Sequence, residues 1–223
     1  ISPDYTSRCK PQEFSNSVWA MATAELEIAG KLSFDTTHAT LSERKAQRSD
    51  PATDMFDLAA KDLMSRPHEY KPQEIKDILW SFSKLGARHP VLFQTIARHL
   101  VGEHENDAKA RGFDDFSSQG LGNMAYAYAR QAQIAEEYDE DSSAGKLTVF
   151  RTMYTDIGED LLLRFFSRIA ETFVKVLDEP STANPQDVSN TVYSFAVLGL
   201  KDEPFLEGVQ GFLLRKARSL ALG

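Results

Sequence analysis

Apolar residues return along this chain at spacings of three and four, and four times they do so inside one recurring phrase. It reads Pro11-Gln12-Glu13-Phe14-Ser15-Asn16-Ser17-Val18-Trp19, then Pro72-Gln73-Glu74-Ile75-Lys76-Asp77-Ile78-Leu79-Trp80. It returns as Ser118-Gln119-Gly120-Leu121-Gly122-Asn123-Met124-Ala125-Tyr126 and as Pro185-Gln186-Asp187-Val188-Ser189-Asn190-Thr191-Val192-Tyr193. In each copy one helical side gathers the apolar residues: Phe14, Val18, Met21; Ile75, Leu79, Phe82; Leu121, Ala125, Tyr128; Val188, Val192, Phe195. Each copy therefore predicts an amphipathic helix with that side against a core. Pro opens three of the four, with Glu or Asp soon after, near the positive end of the helix dipole. Ser117 and Asn184 stand just before two copies as N-caps, whereas Lys10 and Lys71 are poor caps for the others.

A second helix is predicted after each first one. Leu85-Gly86 stops the helix of the second copy, His89-Pro90 restarts the chain, and 91–101 carries Leu92, Ile96, His99 and Leu100 on one side. Leu198-Gly199 does the same in the last copy, before a short turn and a helix from Pro204 presenting Phe205, Val209, Phe212 and Leu213. A long helix from near Asp156 is marked by Leu161, Leu162, Phe165, Phe166, Ile169 and Phe173 as core. The expected fold is all-α: an α-solenoid of about four helix-turn-helix repeats in a single domain, with units at about 11–66, 72–102, 118–178 and 185–220. The copies start at 11, 72, 118 and 185, which is 61, 46 and 67 residues apart. Because such a unit needs only about 34 to 47 residues, loop insertions are expected at about 31–53, 103–116 and 131–150. The first and third fall between the two helices of their units and the second is a connector. Insertions at equivalent points emerge on one edge of a stack.

Composition narrows the classes. At 42% hydrophobic and 26% charged, the chain is an ordinary globular one. It has no run of 18 apolar residues and no basic start followed by an apolar stretch, so neither a membrane span nor a secretory signal is expected. The first residue is Ile1, which points to a fragment or a processed chain. Cys9 is the single cysteine, so no internal disulfide forms; it reads as an incidental thiol in a reducing compartment. The formal charge of −8 lacks the basic excess common in nucleic-acid binders. Part of it is local: Glu136, Glu137, Asp139, Glu140 and Asp141 share a stretch that reads as a solvated loop, and removing these five charges leaves −3.

Opposite the aliphatic side of each first helix lies a second repeated stripe, made of the second, sixth, ninth and thirteenth residues of the phrase. It comprises Gln12, Asn16, Trp19 and Thr23; Gln73, Asp77, Trp80 and Lys84; Gln119, Asn123, Tyr126 and Arg130; Gln186, Asn190, Tyr193 and Val197. Small residues flank each aromatic, so a neighbouring backbone can approach on either side. Two readings stand. In one, the first helices stack through this stripe, the amides forming a hydrogen-bond ladder and the aromatics filling the space between units. In the other, the stripe lines a concave face on which aromatics stack on unpaired bases and amides bond base edges. Basic residues suited to phosphate contacts are Arg88, Arg98, Arg215, Lys216 and Arg218, with Lys84 and Arg130. The last cluster also complements a helix dipole at its C-terminal end.

Signals for chemistry are poor. His99, Glu103 and His104 do not match the spacing of a helical metal site, and Gly120 and Gly122 lie inside a predicted helix rather than after a strand. No phosphate-cradling loop or nucleophile elbow occurs. No catalytic residue, metal, cofactor or small-molecule substrate is expected.

The phrase, with Pro-Gln-Glu, Asn at fixed spacing and an aromatic between small residues, resembles the helical repeats of organellar RNA-binding proteins: the octotricopeptide and heptatricopeptide types and the repeat region of FAST-kinase-like proteins carrying a RAP domain. Residues 11–22, 72–83 and 185–196 match best, while Ser118 and Gly120 replace the Pro and the acid in the third copy. The resemblance implies a non-catalytic α-solenoid in mitochondria or plastids that binds single-stranded RNA and acts in RNA processing, stability, translation or ribosome assembly. The alternative is a protein–protein interaction scaffold, possible as a subunit of a large ribonucleoprotein.

Overall fold

The computed structural model describes residues 9–32, 50–102, 112–137, 156–178 and 183–221. Among these residues the chain is all-helical, with eight α-helices and no strand. They are α1 (Pro11–Leu32), α2 (Asp50–Ser65), α3 (Pro72–Lys84), α4 (Pro90–Val101), α5 (Ser118–Glu137), α6 (Glu159–Asp178), α7 (Pro185–Val197) and α8 (Glu203–Ala221), with a 3-10 turn at Pro67–Glu69. The four copies of the phrase open α1, α3, α5 and α7, and these lie side by side in chain order. The other four helices form a second row, in which α2 meets α4, α4 meets α6 and α6 meets α8.

How each phrase starts its helix depends on the residue before it. Lys10 and Lys71 supply no side-chain cap, and the third residue does the work: Glu13 Oε2 accepts the Lys10 amide at 2.8 Å and Glu74 Oε2 accepts the Lys71 amide at 2.7 Å. This is half of a capping box. In the other two copies the residue before the phrase supplies the opposite half, a side-chain cap on the third amide. Ser117 Oγ accepts the Gly120 amide at 3.1 Å, and Asn184 Oδ1 accepts the Asp187 amide at 2.9 Å. The helices α3 and α7 end alike, with Gly86 and Gly199 at φ 65° and 59°. The next amides, of Ala87 and Leu200, reach back to Phe82 O and Phe195 O at 2.9 Å, closing a left-handed C-terminal motif that favours glycine.

The core lies between the rows. From the first row it takes Val18, Ile75, Leu79, Leu121 and Phe195, all buried. From the second it takes Phe93, Phe165, Phe166, Phe173 and Phe205. Tyr128 joins the rows: its ring meets Phe93 at 4.9 Å and Phe165 at 4.2 Å, and its hydroxyl donates to Phe93 O at 2.7 Å. At the turn after α2, Arg66 Nε donates to both carboxylate oxygens of Asp62 at 3.2 and 3.1 Å, and its NH2 group donates to Cys9 O at 2.8 Å. The buried Tyr70 hydroxyl donates to the same carboxylate at 2.5 Å. That clamp fixes the chain entering α1.

Neighbouring first-row helices meet through positions beside the stripe. Counting from the first residue of the phrase, the leading helix uses positions one, five and twelve. The trailing helix offers three, seven and ten. Ser83 Oγ donates to Ala127 O at 2.9 Å, and Ser118 Oγ donates to Asp187 Oδ2 at 2.7 Å. A Cβ on Gly122 would stand 3.0 Å from Asp187 O and 3.3 Å from Thr191 Oγ1, so any larger residue would press the neighbouring backbone back by a few tenths of an ångström. Small residues at the joints let the backbones come this close.

Several boundaries differ from those the pattern predicts. The helix α5 continues to Glu137, past the expected loop start at 131, because Ala132 and Ile134 keep their core contact. The helix α2 begins at Asp50 rather than after 53, with Pro51 in its first turn, where a missing amide costs nothing. Residues 112–116 are more than a connector, since Phe113 and Phe116 are buried and Phe113 meets Phe165 at 5.2 Å. The long second-row helix starts at Glu159 rather than near Asp156. Leu213, expected on the apolar side, is exposed. The remaining parts of the expected insertions, 33–49, 103–111 and 138–155, with His38, Glu103, His104 and Asp139 to Asp141, lie outside the described residues.

Candidate nucleic-acid interface

With the core on one side of each first-row helix and the joints on its two flanks, the amide and aromatic stripe is left on the outer side. Turning each helix by about 100° per residue puts positions two, six, nine and thirteen opposite positions four, eight and eleven. Exposure follows that geometry. Gln12, Asn16, Gln73, Gln119 and Gln186 are exposed, and Asn123, Tyr126, Arg130, Asp77, Trp80, Lys84 and Asn190 are half-buried. Trp19 and Tyr193 are 46% and 45% exposed.

The stripes of α3, α5 and α7 come together into one surface. Lys84 Nζ lies 5.4 Å from the Trp80 ring centre and 5.5 Å from that of Tyr126 on the next helix. Both distances are within cation–π range. The rings of Tyr126 and Tyr193 lie 6.2 Å apart at 30°, continuing the row. Gln133 Nε2 donates to the Tyr193 hydroxyl at 3.0 Å, and Arg130 NH1 donates to Gln133 Oε1 at 3.4 Å. Gln133 belongs to this surface too, beyond the thirteenth position of the phrase. It stands one turn beyond Arg130, and the longer α5 brings it into place.

One pair of stripe amides bonds within its own helix. Gln186 Nε2 donates to Asn190 Oδ1 at 2.9 Å. The inter-helix bonds at the joints come instead from Ser83, Ser118 and Asp187. Thr23 donates its hydroxyl to Trp19 O at 2.8 Å, which leaves the last position of the first stripe turned toward its own backbone. Asp77 is ion-paired with Lys76 beside it.

The basic residues outside the stripe do not gather around it. Arg98 belongs to α4, and Arg215, Lys216 and Arg218 to α8, all in the second row. Arg215 donates to Leu177 O at 2.7 Å at the end of α6, and Lys216 Nζ lies 5.8 Å from the Phe212 ring. Arg88, in the turn between α3 and α4, is ion-paired with Asp156. Cations of the stripe itself are Lys84 and Arg130.

Among the described residues no group of three or more His, Cys, Asp and Glu side chains is arranged to hold a metal ion, and no helix is long and apolar enough to cross a membrane. His99 is buried on α4, His68 is exposed, and His89 caps α4, its Nδ1 accepting the Leu92 amide at 3.1 Å. The chain matches no protein-family model, and no curated protein matches it.

Proposed function

We propose that this chain is an α-solenoid of four helix-turn-helix repeats that binds single-stranded RNA on the outer stripe of its first-row helices and catalyses no reaction. The observation that carries the reading is the continuous row of half-buried Trp80, Lys84 and Tyr126 and exposed Tyr193 on three successive helices. Every base has a π-face, so such a row accepts bases by stacking, at about 1–3 kcal/mol each. Gln73, Gln119, Asn123 and Gln186 stand beside the rings with amides suited to base edges. Lys84 and Arg130 supply cations suited to phosphates. The solenoid is supported by the chain-order packing of the four helices that begin with the phrase. Location in a mitochondrion or plastid, and a role in RNA processing, stability, translation or ribosome assembly, rest on the resemblance of the phrase alone.

A protein scaffold is the second reading, favoured by the charge of −8 and by the distance of Arg98, Arg215, Lys216 and Arg218 from the stripe. An acidic surface attracts a basic partner. The test is affinity for a random single-stranded RNA pool at two salt concentrations, beside a Trp80→Ala, Tyr126→Ala variant. Salt-sensitive binding that the variant loses, with its helical circular dichroism intact, supports RNA. No binding by the parent moves the assignment to a protein partner.

A further inference from the structure

The joints between first-row helices repeat one chemistry, and the two ends of the row present its two halves uncovered. On α1 the leading face is Pro11, Ser15, Val18 and Ala22, and α3 covers it: Ser15, Val18 and Ala22 are buried. On α7 the same four positions carry the same four residue types, Pro185, Ser189, Val192 and Ala196. Here Pro185, Ser189 and Ala196 are exposed and Val192 is half-buried.

The trailing face shows the converse. On α3 it is Glu74, Ile78 and Ser81, all buried against α1. On α1 the corresponding Glu13 and Ala20 are exposed and Ser17 is half-buried. Glu13 and Glu74 are held alike, each with Oε2 accepting the amide three residues before it, and Glu74 shows that a carboxylate so engaged fits within a joint. In the second row, α8 turns Gly208 and Arg215 toward α6 and leaves Leu206, Leu213 and Leu220 on another side, the last two 51% and 83% exposed. Spaced by seven, they share one side of α8.

From this identity we infer that the chain associates with a second copy of itself head to tail, the α7–α8 end of one seating α1 of the next as α1 seats α3 within the chain. The contact is heterologous, with different surfaces on the two partners, so it leaves a free face at each end and adds copies in one direction. It requires no RNA.

Sedimentation of the full chain over a range of concentrations tests this, beside Ala196→Arg, which blocks the α7 face, and Ala20→Arg, which blocks the α1 face. Both positions are exposed, and circular dichroism verifies that each variant is folded. The parent is expected to grow in size with concentration, and each variant alone to stay monomeric, losing at least about tenfold in association because a charge enters a packed joint unpaired. An equimolar mixture of the two variants restores a dimer and stops there, since each supplies the face that the other lacks. A parent that stays monomeric, a variant that still pairs with itself, or a mixture that fails to pair overturns the inference.

Discussion

Ser118 donates its hydroxyl hydrogen to the carboxylate of Asp187, 2.7 Å away, and both side chains are buried where α5 meets α7. The backbone amide of Asp187 is engaged as well, donating to Asn184 Oδ1 at the start of α7. A bond to a buried charge contributes about 1.5–3 kcal/mol. Ser118→Ala is expected to destabilise the fold by that amount in urea unfolding. A cycle with Asp187→Ala should return a coupling of similar size, and single changes that simply add would show that the pair is not coupled.

Two glycines separate packing from propensity. Gly122→Ala is expected to lower stability by about 1 kcal/mol or more, because overpacking costs about 1–3 kcal/mol and exceeds the gain of about 1 kcal/mol in helix propensity. Its new methyl group would press on the backbone of α7. Gly211→Ala in α8 meets only the flexible end of Arg215 at 3.4 Å, so it should raise stability by about 0.5–1 kcal/mol. Thermal unfolding of both variants checks the contrast.

Tyr70 sets an alkaline limit. Burial, then its bond to the Asp62 carboxylate, raises the pKa of its hydroxyl far above the ordinary tyrosine value, and burial does the same for Tyr128. Above about pH 10 the unfolded chain releases these protons while the folded chain keeps them. Stability is therefore full below that pH and falls as pH rises past it. Tyr70→Phe should be less stable at neutral pH, having lost the bond to Asp62, and its stability should decline less steeply with alkali. Urea unfolding at pH 7 and at about pH 10.5 measures both effects.

Lys84 distinguishes a binding cation from a structural one. Its amine faces two rings at partly exposed positions, where such contacts contribute about 0.5–1 kcal/mol. Lys84→Gln should cost no more than that in stability. If the stripe binds RNA, the same change should weaken binding and reduce the slope of log affinity against log salt by about 0.7, the value for one phosphate on a single strand. Binding titrations at several salt concentrations give the slope, and an unchanged slope would place the phosphate elsewhere.

The recurring phrase by itself determined four helix starts, the aliphatic side of each first helix and the one face that Gln, Asn and the aromatics share. These are consequences of local chemistry: proline and acid at a helix start, glycine at its end, and a rotation of about 100° per residue that assigns positions to faces. Tertiary structure alone decided which face met which neighbour. Nothing local distinguishes Asp187, buried in a joint, from the exposed Glu13 at the same position of its phrase. Nor does local chemistry draw Phe113 and Phe116 out of a polar stretch into the core, extend α5 far enough to set Gln133 beside Tyr193, or turn Arg215 onto the end of α6. Periodicity fixes the relations of residues within one helix, whereas contacts between helices depend on how closely two backbones approach, and here small residues far apart in the chain set that distance.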